Sequence, residues 1–582
     1  MKISIRRKRF VRVTAILVLI LSLSATGAYA ESNGTQTGSA SKAAAKQNIA
    51  DYAAAMQPGW NLGNTFDAVG LGGSADPSAE DETAWGNPNV TEELIQHIAA
   101  EGFKSIRIPV TWEHKMGPAP DYSIQPAYME RVEEVVDWSL DAGLYVMLNL
   151  HHDSWRWING MGDNRADVVN RYNAAWTQIA ERFKDHPREL MLESINEPQF
   201  SSPGASGEQE MLDALNASFY DIVRNSGGNN DTRPLVLPTM HTSSDQEHVD
   251  ALYDFIADLD DPNLIATVHF YGFWPFSVNI AGYTTFEEDS KNHLIEQFDR
   301  VHDKYTAEGI PVVIGEFGLL GFDQHTGTVQ QGEKLKFFEY MIHYAQTKDL
   351  IHMLWDNGQH YNRRTMEWND PQLAAMMKAS WDGRSVTGET DMIFVREGSE
   401  PTRVRIPMNV HGQTLIDLSI GDRVLIAGPE YTYYKNRLTF QPGLLQELTA
   451  DGDYGVNAEI TARFSSGADW TFQVVLFDAP ELSAASGTTE AFAIPAVFNG
   501  DQLATMEAKY EDGSNAGPQN WTSFKEFSYT FEPDYEEGEI VLKPNFFKET
   551  NDGTVHLTFH FWSGETLEYT LIKAGAQVTG TP

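Results

Sequence analysis

Between residues 48 and 384, eight short apolar runs recur, with amphipathic stretches between most of them. The runs are GWNLG (59–63), SIRIPV (105–110), LYVMLNL (144–150), LMLESIN (190–196), PLVLPTM (234–240), LIATVHF (264–270), PVVIGEF (311–317) and LIHMLW (350–355). They are rich in Val, Ile, Leu and Met, as strands buried on both faces must be. Eight strands in roughly 300 residues, most followed by a helix, predict an α/β fold of the (β/α)8 barrel type. An open doubly wound sheet is the competing architecture. It usually carries a Gly-rich phosphate loop, and the chain has neither a G-x-G-x-x-G nor a P-loop motif.

Helices are expected over 91–102, 126–143, 168–186, 208–226, 291–309 and 331–347. Thr91 is placed to cap the first, with Glu92 and Glu93 in its opening turn. Leu94 stands where a full capping box would need Glu or Gln. Gly102, Gly143 and Gly309 stand where a helix ends.

After about 385 the helical period stops. Residues 388–482 show short alternating runs such as TRVRIPMNV and WTFQVVLF, the pattern of a β-sandwich. SAASGTTE (483–490) reads as a small polar linker, and 491–578 as a second sandwich. At the other end, Lys2, Arg6, Arg7, Lys8, Arg9 and Arg12 precede an apolar run from Val13 to Leu23 and an A-x-A-like site at Ala28–Ala30. Residues 1–30 therefore read as a secretory signal peptide and 31–47 as a disordered leader. A secreted, extracellular monomer is expected, free of the membrane once the signal is removed.

Composition removes other classes. With no cysteine, disulfide scaffolds and cysteine-ligated metal sites are excluded. With 82 acidic against 42 basic residues, the chain is a poor nucleic-acid binder.

In a (β/α)8 barrel, chemistry sits at the C-terminal ends of the strands. Those ends carry Arg107, His151-His152, Asn196-Glu197, His269 and Tyr271, Glu316 and Trp355. Two carboxylates thus face one mouth, from the fourth and seventh strands. Paired carboxylates on opposed strands are the minimal equipment of a glycosidase, and a retaining one holds them about 5–5.5 Å apart. A metal site built from the histidines and the two Glu is the competing reading of the same residues.

Seven segments resemble glycoside hydrolase family 5, the cellulase-type retaining β-glycanases: GWNLGNTFDA (59–68), IRIPVTW (106–112), LNLHHD (148–153), SINEP (194–198), HFYGFWPF (269–276), IGEFG (314–318) and LWDNG (354–358). They occur in the family's order, each on an expected strand end. The resemblance implies an endo-β-1,4-glucanase acting on cellulose-type polysaccharide without cofactor or metal. Xyloglucanase, mannanase or xylanase specificity on the same machinery, or a non-catalytic wall-binding protein, are the alternatives. It makes Glu197 the acid/base and Glu316 the nucleophile. It implies that Arg107 and Tyr271 hold Glu316 ionised and that Asn196 meets the sugar 2-hydroxyl. His151 and His269 line the subsite, with Trp355 as its floor, and His152 is a neighbouring contact. Glu197 must carry a proton near neutrality, so its surroundings are expected to raise its pKa.

Aromatic faces supply the rest of the cleft. Trp60, Trp85, Trp112, Trp155, Trp157, Trp274 and Trp368 fall in or near loops on that face, with Trp85 and Trp274 the expected platforms. Asn61 and Asn64 are placed to reach sugar hydroxyls, although Asn64 equally suits a turn. Residues 388–482 resemble the X2-type immunoglobulin-like module, and 491–578 a carbohydrate-binding module of family 46. Trp521, in a loop after GPQN, is the expected binding residue there, while Trp562 in HLTFHFW suits the core as well.

Overall fold

A computed structural model describes residues 49–69, 82–201, 205–450 and 452–582. The expected signal peptide and leader lie outside them. The eight apolar runs become eight parallel strands: β1 (Gly59–Asn61), β2 (Ser105–Ile108), β3 (Tyr145–Asn149), β4 (Leu190–Glu193), β5 (Leu235–Pro238), β6 (Leu264–Phe270), β7 (Val312–Phe317) and β8 (Leu350–Leu354). They close in sequence order, with β8 returning to β1 through Gly59 opposite Met353.

Period-two alternation divides each strand between two cores. One set of residues, including Ile106, Leu148 and Leu192, faces the surrounding helices. The other fills the barrel's lower end with Met147, Met191, Val236, Ile265, Val313, Ile351 and Met353. A helical turn over 49–55 plugs that end with Ile49, Tyr52 and Ala53. Each such fully buried aliphatic side chain contributes roughly 1.5–3 kcal/mol by leaving water. The apolar plug excludes water from below, so the polar residues one layer higher can open only upward.

The helices follow their sequence signals. Thr91 Oγ1 accepts from Leu94 N–H at 3.2 Å, completing the half of the cap that the sequence allows. The helix Glu92–Ala100 buries Leu94, Ile95 and Ile98, and the chain leaves it through Gly102 at φ +108°. The two longest helices that the sequence reading does not anticipate belong to the barrel. Gln246–Leu259 buries Val249, Leu252 and Ile256, an i, i+3, i+7 stripe. Pro371–Asp382 opens with Pro at its first turn and an Asp370 cap that accepts from Leu373 N–H at 2.9 Å.

Two all-β units follow. The first pairs a four-stranded with a five-stranded sheet, and its buried Ile393, Phe440, Trp470 and Phe472 continue the barrel's own core. The second is likewise a four- and a five-stranded sheet around a separate core that includes Phe531, Phe546 and Phe559. The expected linker 483–490 is not a linker. Ala485–Thr488 is a strand paired antiparallel with Gln577–Gly580. Its small side chains suit close strand packing, a use that composition does not distinguish from flexibility.

The last unit folds back onto the barrel. Asn279 Nδ2 donates to Ala504 O at 2.9 Å, Phe527 N–H donates to Asn279 O at 3.2 Å, and Gly282 lies against the Phe524 ring.

Candidate active site

Arg107 on β2 organises the layer above the plug. It is fully buried. Its five N–H groups are all engaged. Nε donates to Glu193 Oε2 at 2.8 Å and Nη2 to Glu193 Oε1 at 3.2 Å, a bidentate pair. Nη2 also donates to Asn196 Oδ1 at 2.7 Å. Nη1 donates to Asn61 Oδ1 at 3.1 Å and to Glu316 Oε1 at 2.7 Å. Burial works against the charge, but the Glu193 and Glu316 carboxylates outweigh it and hold the guanidinium pKa above its ordinary value.

Glu193 was missed by sequence reasoning. A count of two from the interior Met191 would have placed it inside the barrel, where a carboxylate demands a cation. Asn149 Nδ2 donates to the same carboxylate at 2.9 Å. Asn61 corrects an expectation. It is fully buried, and its Nδ2 lies within hydrogen-bond distance of the Gly315, Met353 and Leu354 carbonyls at 2.9, 3.2 and 3.1 Å. Those contacts, with the bond from Arg107, turn it away from the cleft. Asn64 closes a turn at φ +53°, its N–H donating to Asp67 Oδ2 at 3.0 Å.

Glu316 reaches the mouth through a bulge in β7. Val268 pairs with Ile314 and His269 with Glu316, so Gly315 is an extra residue. A Cβ on Gly315 would stand 2.9 Å from Thr267 Oγ1, so the bulge admits only glycine without a shift. The bulge turns Glu316 inward, where Arg107 and the Tyr271 hydroxyl, at 2.7 Å each, donate to its two oxygens. Its side chain is 6% exposed. Burial and the Glu316 charge push the Tyr271 hydroxyl well above its usual pKa, so it stays a donor.

Glu197 follows β4 in a left-handed conformation at φ +38°, and its side chain is 43% exposed. This places its carboxylate over the mouth, within hydrogen-bond distance of His269 Nδ1 at 2.9 Å. Oxygens of Glu197 and Glu316 and a nitrogen of His269 all lie within 4.8 Å of one another. Burial pushes the Glu197 pKa up, but the His269 hydrogen bond and charge outweigh it and the pKa falls below its usual value. The expectation of a raised pKa is thus not met in the open cleft.

His151 and His152 both border the mouth, because β3 has ended at Asn149. His151 is buried and stacks on Trp355 with ring centres 5.8 Å apart and planes 3° apart. Burial first, then the charges of His152, Arg107 and His269, drive its pKa far down, so it is neutral. His152 lies between Trp85 and Trp155, each 5.3 Å away. Its Nδ1 is 2.9 Å from Asp67 O. Trp85 is half-buried and donates to Val69 O at 2.7 Å. Trp155 and Trp274 are exposed, whereas Trp60 and Trp112 belong wholly to the core. Trp521 is 59% exposed, its ring centre 6.3 Å from that of Trp274. Trp562 is half-buried.

Residues 69–361 match the family described as cellulase (glycosyl hydrolase family 5). The chain belongs to glycosyl hydrolase family 5. It is a glycoside hydrolase. Residues 387–474 match carbohydrate binding domain X2, and 478–581 match the carbohydrate-binding domain of family 46. Endoglucanase B of Paenibacillus lautus is 53% identical over 579 residues, covering 99% of this chain and all of that protein. The full-length tri-modular endo-β-1,4-glucanase B from Bacillus halodurans is 55% identical, with a TM-score of 0.89 over 92% of this chain and 99% of that one. A tri-modular family 5 endo-β-1,4-glucanase from Bacillus licheniformis, complexed with cellotetraose, is 29% identical, with a TM-score of 0.77 over 89% and 99%.

In this family 5 hydrolase a further carboxyl stands behind Tyr271. Asp323, with its side chain 8% exposed, has no hydrogen-bond partner on either oxygen among the described residues, and the His360 imidazole Nε2 lies 3.7 Å away. Burial, with the Asp356 and Glu316 charges, raises its pKa to about 6, against the pull of His360. A carboxyl raised in the folded state binds its proton more tightly there than in the unfolded chain. Its destabilisation therefore builds as pH rises from about 4 to 6. Asp323→Asn is expected to stabilise the enzyme above pH 6 by about 1–3 kcal/mol, the gain fading toward pH 4. Melting temperature against pH measures this, and a gain independent of pH would contradict it.

Proposed function

We propose that the protein is a secreted, retaining endo-β-1,4-glucanase in which Glu316 is the nucleophile and Glu197 the acid/base. One observation carries this reading. The two carboxylates come within 4.8 Å of each other, in opposite settings. Inverting glycosidases need about 6.5–9.5 Å to admit a water. Glu316 is fixed by two charge-favouring donors, as a nucleophile must be. Glu197 is half-exposed, where a leaving oxygen can reach it.

A sugar seated on Trp355 would remove the remaining water from Glu197 and raise its pKa, so that it delivers a proton as Glu316 attacks the anomeric carbon. Once Glu316 is an ester its negative charge is gone, Glu197 becomes more acidic, and it then takes a proton from the attacking water. Asn196, its Oδ1 held by Arg107, has its amide N–H groups left for the sugar 2-hydroxyl.

The relatives named above are endoglucanases, and one is complexed with cellotetraose. Trp274 and Trp521 extend the aromatic floor from barrel to C-terminal module. Product analysis on cellulose, xyloglucan, mixed-linkage glucan, mannan and xylan tests this. Internal cleavage of the β-glucans is expected, and activity confined to mannan or xylan would overturn it. Trp521→Ala is expected to raise KM on soluble polymer by about 3–10-fold, as loss of an aromatic anchor does.

A further inference from the structure

The loop bearing Trp521 is held from beneath by one buried cation. Lys525 is fully buried, yet its Nζ donates to two main-chain carbonyls, Pro518 O at 2.9 Å and Thr522 O at 2.8 Å, and, among the described residues, to no carboxylate. Burial pulls its pKa down to about 8, against a partial pull from Glu549, so the ammonium persists at neutral pH. A buried charge of this kind is costly unless its donors are used. Here they bracket the turn that displays the indole.

The turn 518–522 between the two carbonyls has few other ties. Gln519 sits at φ +49°, a conformation that L-residues adopt only when the surroundings impose it. The loop is pinned at its two ends, by Ala516 N–H to Ala508 O at 3.0 Å on one side and by Ala508 N–H to Ser523 O at 2.9 Å, Ser523 Oγ to Glu507 at 2.6 Å and Phe524 N–H to Thr522 Oγ1 at 3.2 Å on the other. Between them lie a turn bond from Thr522 N–H to Gln519 O at 3.1 Å and the side-chain ties Asn515 to Asn520 O at 2.9 Å and Gln519 to Glu526 at 2.7 Å. Lys525 itself is anchored, because its N–H donates to Met506 O at 2.8 Å on the strand Leu503–Tyr510. It thus links a rigid strand to a turn that lacks regular structure.

We propose that Lys525 is a positioning residue that sets the Trp521 indole beside Trp274, acting on substrate only through that ring. The inference rests on the reading that Trp521 extends the cleft. Two measurements on the full-length enzyme separate the two ideas: hydrogen–deuterium exchange across 515–526, and the ratio of KM for soluble xyloglucan to KM for a chromogenic cellotrioside.

Lys525→Met is expected to raise exchange across the loop about tenfold, with the hairpin 553–574 unchanged as the control for folding. It is expected to raise the KM ratio by the same factor as Trp521→Ala. Lys525→Gln, which keeps two donors on a shorter stem, falls between wild type and Lys525→Met in both. Trp521→Ala raises the ratio and leaves exchange alone. Unchanged exchange in Lys525→Met, with a raised ratio in Trp521→Ala, overturns the inference and leaves the cleft reading intact. An unchanged ratio in Trp521→Ala removes the cleft reading and with it the functional role of Lys525. Exchange raised equally in the hairpin reduces Lys525 to a general stabiliser of the module and also overturns the inference.

Discussion

Replacing Glu316 by Ala is expected to lower kcat on soluble β-glucan by roughly 10⁴–10⁶-fold with the fold retained, the scale seen when a covalent nucleophile is removed. Glu197→Ala is expected to be comparably impaired on natural polymer, because an alkoxide leaving group needs a proton. The two variants then part. With an activated aryl leaving group, Glu197→Ala still forms the glycosyl-enzyme, and azide speeds its breakdown to a β-glycosyl azide. In Glu316→Ala the space opened beside Arg107 and Tyr271 admits azide directly, which gives the α-azide. A β-azide from Glu316→Ala would reverse the two assignments.

The second large effect is expected at Arg107. Arg107→Met leaves the Glu193 and Glu316 carboxylates in a nearly dry layer without their cation. Breaking a buried pair by removing one partner costs about 3–5 kcal/mol. The melting temperature should fall accordingly, and activity should fall with it, because Glu316 loses one of its two aiming bonds. Adding Glu193→Gln removes one uncompensated charge and is expected to return part of the stability without returning activity. Arg107→Lys supplies at most three donors where five are used, so it should retain more stability than Met but little activity. Full stability in Arg107→Met would mean that the polar layer is hydrated and the guanidinium is not its organiser.

The barrel was legible because its strands are continuous apolar runs of the right length, and the mouth was legible because polar residues at the ends of such runs have few other uses. Glu316, Arg107, Tyr271 and Asn196 meet where their motifs placed them. What was hidden lay in geometry one residue finer than a motif. Glu193 was read as part of an apolar strand because its neighbours are apolar, though the interior alternation singled it out. Asn61 ends a strand, which suits the cleft, but its amide lies among the Gly315, Met353 and Leu354 carbonyls, whose company uses its N–H donors inside the barrel. The β7 bulge leaves only Gly315 as its trace. Helix Gln246–Leu259 carries a regular stripe of Val249, Leu252 and Ile256, but it lies between two strong apolar runs that dominate the local pattern. The C-terminal module's return to the barrel depends on contacts such as Asn279 to Ala504, between residues 225 apart, which no local pattern encodes.

A double displacement at Glu316, as proposed, would fix the stereochemistry of the product, so the most direct measurement is ¹H NMR of the first reducing ends released from a β-1,4-glucan oligosaccharide, taken before mutarotation. Retention, seen as the β-anomer appearing first and the α-anomer growing only later, is the expected result. An α-anomer formed first would mean a single displacement by water, and would contradict the assignment of Glu316 as nucleophile.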